Sequence, residues 1–213
     1  MTRRSLFTLA TAGLAAQRKD EPVKKGDLYH IPSDLPVPVD DGACRHLAGM
    51  KMPAITLVST ANRRVNMADV ARERTVVYGY PRTGKPGQPI PKGWDEIPGA
   101  RGCTPESCSF RDHYKRLREL NAQVFGLSTQ TTDYQQEAVN RLHLPFEVLS
   151  DADFALTNAL RLPTFEFEGV RLLKRLTLIL SGGKIEKVFY PVFPPDKHAE
   201  EVAAWLASHQ HAD

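Results

Sequence analysis

The order of apolar segments from residue 54 to residue 208 most constrains how this chain folds. Residues 54–59 and 75–80 are apolar and rich in β-branched side chains, the make-up of buried strands. The pattern then predicts a helix over 105–120, a strand over 122–128, a helix over 133–142, a short strand over 146–149 and a short helix over 152–160. Two further strands, 176–181 and 185–190, flank Gly182-Gly183, a hairpin signal. Residues 195–208 close the pattern as a helix with Val202, Trp205 and Leu206 on one face. Strand–helix–strand order followed by a hairpin and a last helix predicts an α/β fold, a mixed central sheet flanked by helices. No internal repeat is present.

A chain of 213 residues has room for one domain with a substantial core plus extensions. Residues 33–213 are assigned to that domain and residues 1–32 to an N-terminal tail with a charged linker over 17–32. The tail opens Thr2-Arg3-Arg4-Ser5-Leu6-Phe7, then stays uncharged to Ala16. Paired arginines before a short apolar stretch are similar to a twin-arginine export signal, so two readings stand: export to the periplasm, or a cytoplasmic protein with a basic tail. A net charge of only +3 gives no footprint for nucleic acid, and beyond the tail no apolar run is long enough to span a membrane. Residues 81–102 are rich in proline and glycine and are predicted to form a long loop, taken as a lid over the cysteine next to it in sequence.

That cysteine belongs to the run Gly102-Cys103-Thr104-Pro105-Glu106-Ser107-Cys108-Ser109-Phe110-Arg111-Asp112. Thr104 suits an N-cap, Pro105 the first helical position and Glu106 the positive end of the helix dipole. Cys103 therefore sits at the mouth of a helix, with Arg101 and Arg111 near in sequence, where the reactive thiolate form is favoured. It is the candidate nucleophile and Cys108 its candidate disulfide partner. Residues five apart in a helix have Cα atoms roughly 8–9 Å apart from the rise and radius of the helix, against about 4.4–6.8 Å for a disulfide. Bridging them requires the first turn to unwind. Cys44 is the odd cysteine and is expected to be a plain free thiol. His113, His143 and His198 are scattered along the chain, so no metal site is expected. Arg111 and Asp112 are expected to form a local helix pair.

Several segments together resemble the peroxiredoxins, in particular the bacterioferritin-comigratory or Q-type class. They are Tyr80-Pro81, Gly102-Cys103-Thr104 with Cys108 and Phe110-Arg111-Asp112, then Val124-Phe125-Gly126-Leu127-Ser128, Leu144-Pro145-Phe146-Glu147-Val148-Leu149-Ser150-Asp151 and Arg175-Leu176-Thr177-Leu178-Ile179. The likeness covers residues 50–207. It implies a thioredoxin-like fold and a thiol-dependent peroxidase of hydrogen peroxide or organic hydroperoxides. It also implies Cys103 as the peroxidatic residue passing through a sulfenic acid, and Cys108 as the resolving residue in an intramolecular disulfide. Arg175 would be the active-site arginine, and a thioredoxin- or glutaredoxin-like dithiol the reductant, in a monomer or homodimer. No cofactor is implied, since sulfur carries the electrons.

The chain departs from the family at one point. A Pro-x-x-x-Thr-x-x-Cys pattern precedes the family's nucleophile, and here Glu96 and Ala100 occupy those two positions. The 82–102 insertion separates Tyr80-Pro81 from Cys103, which leaves Thr83, if the loop folds back, or Thr104 to supply the hydroxyl. Two other functions fit a cysteine pair: a dithiol–disulfide oxidoreductase, with Pro163 in the place of the thioredoxin cis-proline, and a peroxide-sensing redox switch. For Arg175 the competing reading is a surface ion pair beside Arg171 and Lys174.

Overall fold

The computed structural model describes residues 27–209. The export-like segment lies outside the described residues. Nine strands run β1 (Thr56–Ser59), β2 (Arg64–Asn66), β3 (Thr75–Gly79), β4 (Gln123–Ser128), β5 (Glu147–Ser150), β6 (Thr164–Phe167), β7 (Val170–Leu173), β8 (Leu176–Ser181) and β9 (Lys184–Phe189). The α-helices are α1 (Met67–Val70), α2 (Cys103–Glu119), α3 (Thr132–Leu142), α4 (Ala155–Leu160) and α5 (His198–Ser208). Seven strands form one mixed sheet in the order β2-β1-β5-β4-β3-β8-β9, and β6 pairs with β7 alone. The β3–β4 and β4–β5 pairs are parallel, while β8 runs antiparallel to β3 and to β9.

Alternation along the central strands divides the core. Val76, Tyr78, Val124 and Ile179 face a layer built by α2 and α5, with Phe110, Leu117, Val202 and Leu206. Val77, Phe125, Leu127, Leu178 and Leu180 face the other layer, with Met67, Leu156 and Leu160 from α1 and α4. Period-2 strands buried on both faces are what a sheet between helical layers requires. This is the sandwich expected from the sequence.

The differences are local. The segment expected as helix from residue 152 becomes helical only at Ala155, because the Asp151 carboxylate accepts from the Leu156 and Thr157 N–H groups at 3.0 and 2.8 Å and caps the start. The β6–β7 hairpin and β2 are additional to the sequence reading. The Pro- and Gly-rich segment after β3 carries one short 3-10 turn, Trp94–Glu96, and a small core of its own. Trp94 packs edge-on against Phe167 at 5.1 Å and lies 6.1 Å from Phe165, so the β6–β7 hairpin is the platform that holds this loop. The end of the stretch expected as a linker is also tied down. Backbone carbonyls of Asp27 and His30 accept from the Arg101 guanidinium at 2.6 and 3.2 Å.

Candidate active site

β3 ends beside α2, so the loop between them closes over the helix start. α2 begins at Cys103, earlier than a Thr104 cap allows. Its N-cap is Gly102, in the left-handed region at φ +99°, and no side chain caps it. A β-carbon at Gly102 would lie 2.4 Å from Pro195 Cγ, so both the dihedral and the contact demand glycine. Thr104 is thereby freed from the cap and lines a cavity instead. Pro105 and Glu106 fall in the first turn, where a missing N–H and a negative charge are tolerated or favoured.

Cys103 is almost fully buried, at 4 % exposed, and lies at one wall of a cavity of about 130 Å³. Thr83, Gly102 and Thr104 line it with Cys103, while Arg82, Lys85, Ile90, Pro91 and Trp94 of the loop and Leu28 of the N-terminal approach complete it. The loop thus folds back and brings Thr83 to the cavity that Cys103 lines, where Thr104, the other hydroxyl left by the missing threonine, also stands. Thr83 is held by the Gln130 side chain, which accepts from the Thr83 N–H at 3.0 Å and hydroxyl at 3.3 Å, and by the Tyr134 hydroxyl, which donates to the Thr83 carbonyl at 3.0 Å.

Arg175 precedes β8 and is buried, which removes the surface ion-pair reading. Its Nη2 donates to Cys103 Sγ at 3.2 Å and to the Arg101 and Ala100 carbonyls at 3.0 and 3.3 Å, and its Nε donates to the Gly99 carbonyl at 3.2 Å. Its Nη1 donates to Glu106 Oε2 in a buried ion pair. Burial alone works against the guanidinium charge, but Glu106 and Cys103 hold the Arg175 pKa above its ordinary value. Burial pushes the Glu106 carboxyl up, with Arg175 pulling the other way. One arginine thus fixes three loop carbonyls, a carboxylate and the sulfur. The Cys103 S–H has the Ala100 carbonyl as its acceptor at 3.6 Å. Tyr78 and Tyr80, buried beneath, have phenol pKa values raised by burial and stay neutral donors.

Cys108 is not brought to Cys103. Both are free thiols in one continuous helix, and five residues at about 100° each place them about 140° apart around its axis. Cys108 is half-buried and packs at the edge of the core layer beside Arg111, with its pKa raised by burial against the pull of that arginine. Arg111 donates to Asp112 at 2.8 Å and to the Leu142 carbonyl at 3.0 Å, so the two residues are the local pair expected of them. Cys44 is buried on the opposite face of the sheet, and burial pushes its thiol up to about 12. Pro163 opens the β6 side of the molecule with a trans bond and does not line the Cys103 cavity, contrary to the thioredoxin-proline reading. Among the described residues no group of three or more His, Cys, Asp and Glu side chains converges as metal ligands, and no helix is long and apolar enough to cross a membrane.

The sequence reading missed Glu106 as the partner of Arg175. It also missed the residues that pin Thr83, namely Gln130 and Tyr134, and the approach segment around Leu28. These meet across long sequence separations, and no local pattern marks them.

Peroxiredoxin Q from the chloroplast of Gentiana triflora is 27% identical over 187 residues, covering 85% of this chain and 78% of the relative. Peroxiredoxin Bcp of Escherichia coli K12 is 27% identical over 168 residues, covering 76% of this chain and 96% of the relative. Among solved structures, the peroxidoxin BcpB of Mycobacterium tuberculosis superimposes with a TM-score of 0.64 at 22% identity, covering 78% of this chain and all of that one, a likeness of fold. The redoxin family model matches residues 47–204, which takes in β1 to β9, the first half of α5, and Cys103, Cys108 and Arg175. On that match the chain belongs to the redoxin family, and within it resembles the peroxiredoxin Q and Bcp proteins.

Proposed function

We propose that this peroxiredoxin reduces hydroperoxides at Cys103 and recycles through a Cys103–Cys108 disulfide. The observation that carries the reading is the Arg175 Nη2 hydrogen bond to Cys103 Sγ at 3.2 Å, at the wall of a cavity open to a small substrate. A cation set against the sulfur favours the negative charge that attack requires, in a site where water is largely excluded. The Cys103 sulfur attacks the outer oxygen of the hydroperoxide. The O–O bond breaks, an S–O bond forms, and the alcohol or water leaves with a proton. Cys103 is then a sulfenic acid and the peroxide has taken two electrons. The Thr83 hydroxyl lines the same cavity, and by turning its proton from Gln130, 3.3 Å away, to the peroxide it takes the place of the family threonine replaced here by Ala100.

Resolution needs Cys108 to reach Cys103. The first turns of α2 unwind, Cys108 attacks the sulfenic sulfur, an S–S bond forms and water leaves. An external dithiol of the thioredoxin or glutaredoxin type then exchanges with the disulfide and takes the oxidising equivalents. Peroxide consumption by the full chain with a thioredoxin recycling system, compared with Cys103→Ser and Cys108→Ser, tests this. Activity is expected to vanish in Cys103→Ser. Cys108→Ser is expected to lose turnover with thioredoxin while still yielding a trappable sulfenic acid. Equal activity in all three proteins, or none in the unaltered chain, rejects the reading.

A further inference from the structure

We infer that the Cys103 cavity prefers short hydroperoxides that carry a negative charge, and that Arg82 and Lys85 set this preference; the inference rests on the peroxidase reading above. The cavity wall contains Arg82, Lys85 and Arg101 and no aspartate or glutamate. The charge of Arg101 is already answered, by Asp95 at 3.2 Å. Glu137, the acid near Tyr134 at the rim, is already taken by Arg141 at 2.7 Å. Arg82 and Lys85 have no carboxylate partner among the described residues. Each rests on an aromatic ring instead. The Arg82 guanidinium lies 4.6 Å from the Trp94 centroid and 5.4 Å from that of Phe167, and the Lys85 ammonium lies 4.5 Å from the Tyr134 centroid.

A guanidinium stacked on a ring is fixed in direction and keeps its N–H edge free for the two oxygens of a carboxylate. Two half-buried cations with no counter-ion are an electrostatic demand that a neutral peroxide leaves unmet and an anion satisfies. Ile90, Pro91, Trp94 and Leu28 supply an apolar wall for the body of the molecule. The size sets the class. The volume of about 130 Å³ is close to the roughly 150 Å³ of an engineered cavity that admits benzene, so a branched or one-ring hydroperoxide fits and a long acyl chain does not. The carboxylate is a spectator in the reaction: the O–O bond breaks at Cys103 as for any hydroperoxide, and the alcohol leaves with its charge unchanged. Arg82 and Lys85 both come from the insertion that displaces Tyr80-Pro81 from the cysteine, so the departure from the family pattern is also what brings the charges.

The test compares two probes in a reductant-coupled assay of the full chain: tert-butyl hydroperoxide, and the same molecule with a carboxylate on one methyl carbon. One or two charge-assisted hydrogen bonds predict a kcat/KM at least about tenfold higher for the carboxylate form at low salt. That ratio is expected to shrink as ionic strength approaches about 0.15 M, where the Debye length is about 8 Å. The double substitution Arg82→Gln with Lys85→Gln is expected to bring the ratio close to one, and Lys85→Glu to push it below one. If the double variant does not fold, the salt dependence of the unaltered chain and the Lys85→Glu ratio still decide. A ratio near one in the unaltered chain, or one that neither salt nor these substitutions move, overturns the inference and leaves the peroxidase reading intact. Failure to consume either probe or hydrogen peroxide overturns both.

Discussion

Arg175→Met removes the residue on which the site turns, and the structure sets the size of the loss. Arg175 and Glu106 are 1% and 0% exposed, so the pair is buried outright. Without the guanidinium, the Glu106 carboxylate is left in the core with Oε1 already lacking a partner, and the carbonyls of Gly99, Ala100 and Arg101 lose their shared donor. Breaking a buried ion pair from one side costs about 3–5 kcal/mol, and at about 2–4 °C per kcal/mol in a domain of this size the melting temperature falls by roughly 6–20 °C. The loss depends on pH in a definite direction. Burial already raises the Glu106 pKa, and removing Arg175 raises it further. A carboxyl with a folded pKa above its unfolded value binds its proton more tightly when folded. Its contribution is therefore retained below the unfolded pKa and lost as pH rises toward the folded one. Arg175→Met is expected to lose more stability at about pH 8 than at about pH 5. Adding Glu106→Gln removes the stranded charge, so the double variant is expected to recover at least about 1.5 kcal/mol and to lose the extra pH slope. Urea unfolding under reducing conditions, read as midpoints at constant slope, measures Arg175→Met, Glu106→Gln and the double variant. A single-variant loss below about 1 kcal/mol, or a double variant equal to the sum of the singles, refutes the argument.

Further outcomes rest on the same geometry. Thr83→Val should slow oxidation of Cys103 by peroxide by about tenfold or more, with Thr83→Ser retaining most of the rate; stopped-flow fluorescence measures it, and a change no larger than twofold counts against Thr83 as the hydroxyl donor. Gly102→Ala should destabilise by about 2 kcal/mol or more, because the new methyl meets Pro195 in a left-handed backbone; thermal unfolding with a shift under about 2 °C would contradict it. Cys44, its thiol pushed up to about 12, should be the last cysteine alkylated by iodoacetamide near pH 8, where only about one molecule in ten thousand is thiolate. Mass spectrometry of the native protein, with Cys44 labelled before Cys108, would count against that burial.

What the sequence displays is what repeats locally. β1 and β3 show as β-branched apolar runs, β4 as a short apolar stretch, α2 and α3 as helical stretches, and the β8–β9 hairpin by Gly182-Gly183. The β6–β7 hairpin escaped because Glu166, Glu168 and Arg171 interrupt its apolar residues, so no apolar run marks it although Leu172 and Leu173 are buried. β2 has only the three residues Arg64, Val65 and Asn66, too short for any periodicity. Thr104 looked like the cap because its side chain is a good one, but Gly102 starts the helix by dihedral angle rather than by a side-chain bond. At the site, Cys103 is legible from its own motif at the mouth of a helix, but its meeting with Arg175 only through the family resemblance, since 72 positions separate them. Glu106 was visible as a dipole complement and not as the partner of an arginine 69 positions away. The residues around 27–31 have a linker's composition, and they attach through backbone carbonyls to Arg101 and through Leu28 and Tyr29, contacts across long separations that no local pattern marks.

The most direct test of the central claim is a peptide map after one equivalent of hydrogen peroxide. Trypsin cleaves after Arg101 and Arg111, so Cys103 and Cys108 leave in a single peptide, residues 102–111. The account predicts that this peptide loses two hydrogens, that it regains them on treatment with thioredoxin, and that Cys44 stays reduced. A peptide 102–111 that stays reduced after peroxide has been consumed, or a disulfide that draws in Cys44 instead, would contradict it.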